Sequence, residues 1–148
     1  MDIDTIFRLA NLTALAGWAV LVASPLAPKW ADTISGLLIP ILLSVGYMAL
    51  VLVYWADAEG GFSSLSDVMT LFTYREVALA GWIHFLAFDL FVGAWETRVA
   101  RRENISHLLV LPCLALTFLF GPIGFLAFCA LRAIPRSHRV QTNLVGDA

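Results

Sequence analysis

Long apolar runs separated by short polar connections dominate the pattern of this chain. Four of these runs are close to or above the roughly 20 residues that a helix needs to cross a bilayer. They extend approximately from Thr5 to Leu26, from Ile34 to Trp55, from Val77 to Trp95 and from His107 to Leu131. The pattern therefore predicts an all-α integral membrane protein, built as a bundle of four transmembrane helices.

The connection between the second and third runs is the longest and has a periodicity of its own. Phe62, Leu65, Met69 and Phe72 recur at steps of three and four, behind the serine pair 63–64, which can cap a helix. This spacing is typical of a short amphipathic helix lying at the membrane interface. We expect residues 1–134 to form one membrane domain that includes this helix, and residues 135–148 to form a polar tail.

The fourth run contains residues that interrupt a regular helix. Pro112 and the pair Gly121-Pro122 lie inside it. Proline has no backbone N–H and clashes with the preceding turn, so we expect a bend near Gly121-Pro122 within an otherwise continuous span.

Composition agrees with a membrane protein. Of the 148 residues, 60% are hydrophobic and 14% charged, whereas soluble domains average about 45–50% apolar and about 25% charged residues. The lipid bilayer is thus the expected environment. The net charge of −2, without a basic cluster, does not indicate a nucleic-acid partner. The sequence also has no basic leader with a cleavage site, so no removable signal peptide is expected.

Four spans would place both termini on one side of the membrane. Arginines near the ends of the runs then divide almost evenly between the two sides, and the positive-inside rule gives only a slight preference for cytoplasmic termini.

Two ionisable residues, His84 and Asp89, lie inside the third run. Each costs about 2.5–3.5 kcal/mol at the centre of a bilayer on insertion scales. On a helix they stand about 140° apart, so joint action would need a substrate or water between them. His84 shares its stripe with Phe88, Phe91 and Trp95. Asp89 lies on a second stripe of the same helix, together with Trp82, Phe85 and Glu96.

Two interpretations of this pair remain open. In the first, His84 and Asp89 act as an acid and a base, since histidine and buried carboxyl groups are common proton-transfer residues. The aromatic side chains would then bind a conjugated or terpenoid lipid: Trp82, Phe85, Phe88, Phe91 and Trp95. In the second, His84 and Asp89 only form hydrogen bonds that hold neighbouring helices together.

Neighbouring polar residues add little to either interpretation. Glu96, at the predicted end of the third span, is expected to pair with Arg98 or to reach water. His84 and Asp89, five residues apart, are a poor set of metal ligands, so no metal is expected. No cofactor motif is present.

Three segments carry a family resemblance: Gly61-Phe62-Ser63-Ser64-Leu65, the run from Trp82 to Phe91, and Gly121-Pro122-Ile123-Gly124 before Arg132. They resemble the abscisic-acid-deficient-four-like family of four-spanning membrane proteins, whose plant members are needed to make neoxanthin from violaxanthin. The resemblance extends approximately from Leu9 to Arg132. It implies that His84 and Asp89 occupy the family's most distinctive polar positions.

The resemblance also implies a location and two candidate functions. Without a plant-like transit extension, the chain resembles a bacterial member, in the inner (cytoplasmic) or an intracytoplasmic membrane. The first function is an intramembrane isomerase acting on a carotenoid or another isoprenoid, with no redox cofactor. The alternative is a non-catalytic pigment-binding or assembly subunit of a larger membrane complex, for example a photosynthetic one, and a homo-oligomer also remains open.

Overall fold

The computed structural model describes residues 2–134, so the predicted tail at 135–148 lies outside the described residues. All the regular elements in this part of the chain are helices, and it has no strand. The helices are α1 Ile3–Val22, α2 Pro28–Thr33, α3 Ile39–Tyr54, α4 Leu65–Leu71, α5 Arg75–Arg102, α6 His107–Phe120 and α7 Pro122–Ala133. A π-helical segment, Ile34–Leu38, joins α2 to α3.

Within this part, three helical rods are long and apolar enough to cross a membrane, which confirms the first three predicted spans. They are α1, the continuous rod Pro28–Tyr54 that contains α2 and α3, and α5. The π-helical segment precedes Pro40, which has no N–H to offer the helical ladder. In this segment the buried Ser35 hydroxyl donates a hydrogen bond to the Gly17 carbonyl, 2.8 Å away.

Ion pairs at the two ends of the bundle fix how the rods are arranged. Asp4 and Arg75 pair at 2.9 Å, so α1 and α5 start at the same membrane face, called face A below. Asp32 and Arg101 pair at 2.5 Å at the opposite face, called face B. The rod Pro28–Tyr54 therefore runs antiparallel to both α1 and α5.

The predicted amphipathic helix is α4. The Ser64 hydroxyl caps it by accepting a hydrogen bond from the Asp67 N–H at 3.1 Å. Phe62, Leu65 and Met69 are 65–76% exposed in the protein, which leaves their apolar side chains free to enter the bilayer at face A.

The fourth predicted span is divided into two shorter helices. The 14 residues of α6 and the 12 residues of α7 correspond to only about 21 and 18 Å, whereas the hydrocarbon core is about 30 Å thick. The Arg132 Nε–H donates to Glu103 Oε2 at 2.9 Å, although a straight helix would separate these residues by about 43 Å. The chain therefore reverses at Gly121, and the predicted fourth continuous span is not confirmed.

The segment α6–α7 is a hairpin that starts and ends at face B. Its turn contacts Asp89, which is close to the midpoint of α5. The hairpin therefore enters the membrane from face B, turns at mid-depth and returns. This places residue 2 at face A and residue 134 at face B, so the two ends of the described chain lie on opposite sides and not on the same side as expected.

The hairpin also changes the count of basic residues on each side. Among residues 2–134, face B has Lys29, Arg98, Arg101, Arg102 and Arg132, while face A has Arg8 and Arg75. The positive-inside rule now indicates that face B is cytoplasmic.

Cysteine labelling in intact cells tests the hairpin. Cysteines introduced singly at Asn104 and Ala133 are expected to react with a membrane-impermeant maleimide from the same side, and one at Glu59 from the opposite side. A fourth continuous span would instead place Ala133 with Glu59, so matched labelling of these two positions would contradict the hairpin.

Candidate functional site

Asp89 on α5 lies against the turn of the hairpin. Gly121 forms this turn with a φ of 45°, in the left-handed region that side chains other than glycine rarely adopt. A Cβ atom at Gly121 would also lie only 2.8 Å from Asp89 Oδ1. The turn therefore needs glycine for its backbone conformation and for its close contact with the carboxyl group.

Glu96, two turns further along α5, is the second carboxyl group on this side of the helix. It is fully buried, and its Oε1 accepts a hydrogen bond from the Thr117 hydroxyl of α6 at 2.8 Å. The expectation that Glu96 pairs with Arg98 or reaches water is wrong. The reason is that α5 continues to Arg102, which places Glu96 about 9 Å inside the end of the helix.

Each of the two carboxyl groups has one buried oxygen without a hydrogen-bond partner, Asp89 Oδ2 and Glu96 Oε2. No ion pair within residues 2–134 includes either group. Buried polar groups without partners are costly in a medium that cannot solvate them. For this reason, ionisable groups at membrane depth are candidates for function.

Close packing of the hairpin positions Thr117 for its bond to Glu96. A Cβ atom at Gly124 would lie 2.1 Å from both the N and the Oγ1 of Thr117. The backbones of α6 and α7 therefore touch directly at this point. This contact holds the Thr117 hydroxyl towards α5.

A cavity of about 290 Å³ lies next to the tip of the hairpin, towards face A. Its lining includes Asn11, Leu15, Trp82, Phe85, Phe118 and Leu119. The Trp82 Nε1–H donates to Asn11 Oδ1 at 3.2 Å across this cavity. Phe85 is one helical turn before Asp89, and Leu119 is two residues before Gly121. Asp89 therefore lies about one helical turn beyond the residues that line the cavity.

His84 lies on a different side of α5. Its ring stacks on Phe88, with centroids 4.6 Å apart, and lies 5.6 Å from the ring of Tyr47 on α3. It lines a separate cavity of about 300 Å³ between α3, α4 and α5, together with Trp55, Phe62 and Phe72. His84 and Asp89 therefore face different neighbours, as their helical spacing predicted.

Four of the five predicted aromatic residues divide in the same way, whereas Trp95, expected on the stripe of His84, packs against the hairpin instead. Trp82 and Phe85 lie on the Asp89 side, while Phe88 and Phe91 line a cavity of about 260 Å³ against α3. Trp95 packs on Phe128 of α7, with ring centroids 5.5 Å apart. Among the described residues, no group of three or more His, Cys, Asp or Glu side chains is placed to hold a metal ion.

The residues that the sequence analysis missed are Glu96 as a buried group, its partner Thr117, and the contact glycine Gly124. The available signal was the pair Gly121-Pro122 in the middle of an apolar run. A threonine lies four residues before Gly121, and a glycine lies three residues after it. A reversal brings those two positions together, whereas a bend does not.

Substitution of the contact glycine tests the packing of the hairpin. Gly124→Ala is expected to lower the free energy of unfolding by at least about 1–3 kcal/mol, because the backbone of α6 leaves no space for a methyl group. The control is Gly46→Ala, because no atom lies within 4 Å of a Cβ there. It should change stability by less than about 1 kcal/mol. Thermal unfolding of the purified proteins in detergent measures both, and equal stability of the two variants would contradict the contact.

Removal of the Thr117 hydroxyl tests the bond to Glu96. Thr117→Val keeps the shape but leaves a buried carboxyl group without its donor, and should cost about 1 kcal/mol. Thr117→Ser keeps the donor. In a Glu96→Leu background, which has no acceptor for the Thr117 hydroxyl, the difference in thermal stability between the Val and Ser variants should largely disappear. An unchanged difference would show that only the methyl group is responsible.

The pattern of the ABA DEFICIENT 4-like family matches residues 5–128. No curated protein and no solved structure gives a significant match.

Proposed function

Because the chain belongs to the ABA DEFICIENT 4-like family, we propose that it binds a carotenoid or another isoprenoid in the membrane and isomerises it by proton transfer. Asp89 is the group that exchanges the proton. The observation that carries this proposal is the position of Asp89, at mid-depth in the bundle, with an unpartnered oxygen and one helical turn from Phe85 in the wall of an aromatic-lined cavity.

The cavity next to Asp89 suits one end of such a lipid. Its volume of about 290 Å³ is at the lower limit of ordinary ligand pockets, enough for one substituted ring but not for a whole polyene. Leu15, Phe118 and Leu119 on its rim are 37–58% exposed to the surroundings of the bundle. A long chain attached to the ring would therefore lie in the bilayer beside α1 and α6.

A carboxyl group is sufficient for a proton shift that involves no oxidation. For an epoxide on the ring, the carboxyl group donates its proton to the epoxide oxygen and the C–O bond breaks. The carboxylate then accepts a proton from the adjacent carbon of the chain, and a new C=C bond forms. Atoms and electrons balance within the substrate, and Asp89 returns to its starting state. Acid–base catalysis of this kind contributes about 10²- to 10⁴-fold to a rate.

Other residues have supporting roles in this proposal. Glu96 lies behind Asp89, and Thr117 holds it in place. The aromatic rings of Trp82 and Phe85 would contact the ring of the ligand. His84 would act only on a ligand in the cavity next to α3, so variants of the two residues distinguish a site at Asp89 from a site at His84.

The proposal is tested by pigment analysis of carotenoid-producing cells that express the chain. Asp89→Asn, which keeps the size of the side chain but does not exchange a proton in this way, should lower product formation at least about 100-fold. The matched control is Asp67→Asn on the exposed helix α4, which should leave the product unchanged. His84→Gln should also leave it unchanged if the reaction takes place at Asp89.

Three results would contradict this proposal. A pigment that binds to the wild-type protein but is chemically unaltered would instead support the non-catalytic pigment-binding subunit, and co-purification with a large complex would support an assembly role. Loss of product in His84→Gln but not in Asp89→Asn would move the site to the cavity next to α3.

A further inference from the structure

A second lipid-facing groove lies between α3 and α5, on the side of the bundle away from Asp89. Its cavity of about 260 Å³ is lined by Gly36, Pro40, Ser44, Phe88 and Phe91, among others. Phe88 and Phe91 are 55% and 45% exposed, so the groove is open to the surrounding bilayer. Nothing in the proposed reaction at Asp89 uses it.

Arg98 lies at the face B end of this groove. Its guanidinium group is 5.9 Å from the centroid of the Phe91 ring. A Cβ atom at Gly36 would lie only 3.0 Å from Arg98 Nη1, so the side chain extends across Gly36. The absence of a side chain at Gly36 is what lets the guanidinium group reach the groove.

The surroundings of Arg98 differ from those of Arg101 and Arg132 at face B, and Arg98 is more buried than the exposed Arg102. Arg101 pairs with Asp32, and Arg132 pairs with Glu103. Among residues 2–134, no carboxylate lies within ion-pairing distance of Arg98. A half-buried guanidinium group thus has its aromatic contact but no anion.

We propose that this groove binds an acidic phospholipid, with its phosphate on Arg98 and an acyl chain along Phe91 and Phe88. Arginine binds phosphate through two parallel hydrogen bonds. The distance along α5 from Arg98 to Phe88 is about 15 Å, half the thickness of the hydrocarbon core and therefore the depth of one leaflet. The excess of basic residues at face B favours acidic headgroups there. A free phosphate would match the charge but would leave the apolar groove unfilled.

Lipid exchange in nanodiscs tests this site. The purified protein is reconstituted in phosphatidylcholine alone or with phosphatidylglycerol, and the lipid that it retains is quantified by native mass spectrometry. The wild-type protein should retain phosphatidylglycerol in preference to phosphatidylcholine. Arg98→Gln should weaken this preference about tenfold, whereas the exposed Arg102→Gln, with the same change of charge at the same end of α5, should leave it intact.

A second measurement uses only the wild-type protein, in case Arg98→Gln does not insert. Phosphatidylglycerol with a photoreactive acyl chain should cross-link to Ser44, Phe88 or Phe91, and millimolar inorganic phosphate should not displace it. Cross-links spread evenly around the bundle would overturn the proposal. Equal loss of the preference in the Arg98 and Arg102 variants would also overturn it, as would displacement by free phosphate, which would assign a simple anion site.

Discussion

The direct contact between the backbones of α6 and α7, where Gly124 meets Thr117, is the constraint on which the rest of the structure depends. A bilayer offers no water to unpaired backbone groups, so a reversal inside it must bury its own turn against protein. The turn at Gly121 does this against α5. The same contact directs Thr117 towards Glu96 and sets the tip of the hairpin at the depth of Asp89. The contact that stabilises the hairpin therefore also positions the residues of the candidate site.

The ionisable side chains of α5 have different surroundings, and these surroundings give them different candidate roles. Asp89 and Glu96 face a re-entrant hairpin and have few partners, while His84 lies among aromatic rings beside α3. Residues close in sequence thus belong to separate surfaces, one facing the hairpin and one facing a groove open to lipid. This separation is why the proposed chemistry rests on Asp89 and not on the pair, and why the lipid site at Arg98 can be tested without disturbing it.

Much of the fold could be predicted from hydropathy, because each of three helical rods is an apolar run long enough to cross the bilayer. The cap at Ser64 was predictable because capping depends on local sequence alone. The hairpin was not, because the run from His107 to Leu131 has the length and composition of a straight span. The contacts that distinguish a hairpin, between Thr117 and Gly124 and between Glu103 and Arg132, form only in the folded chain. Glu96 was predicted to lie at the end of the third span, because the apolar run ends there. The sequence pattern does not show that α5 continues through polar residues to Arg102.

The depth of the turn at Gly121 also has a consequence for the membrane around the protein. In the part of the chain that the structure describes, five helical segments displace lipid in the leaflet at face B: α1, the rod Pro28–Tyr54, α5, α6 and α7. In the hydrocarbon of the other leaflet the same residues contribute three, because α6 and α7 end at mid-depth. The molecule is therefore a wedge, broader on one side of the bilayer, and it fits most readily where the membrane curves around that broader side.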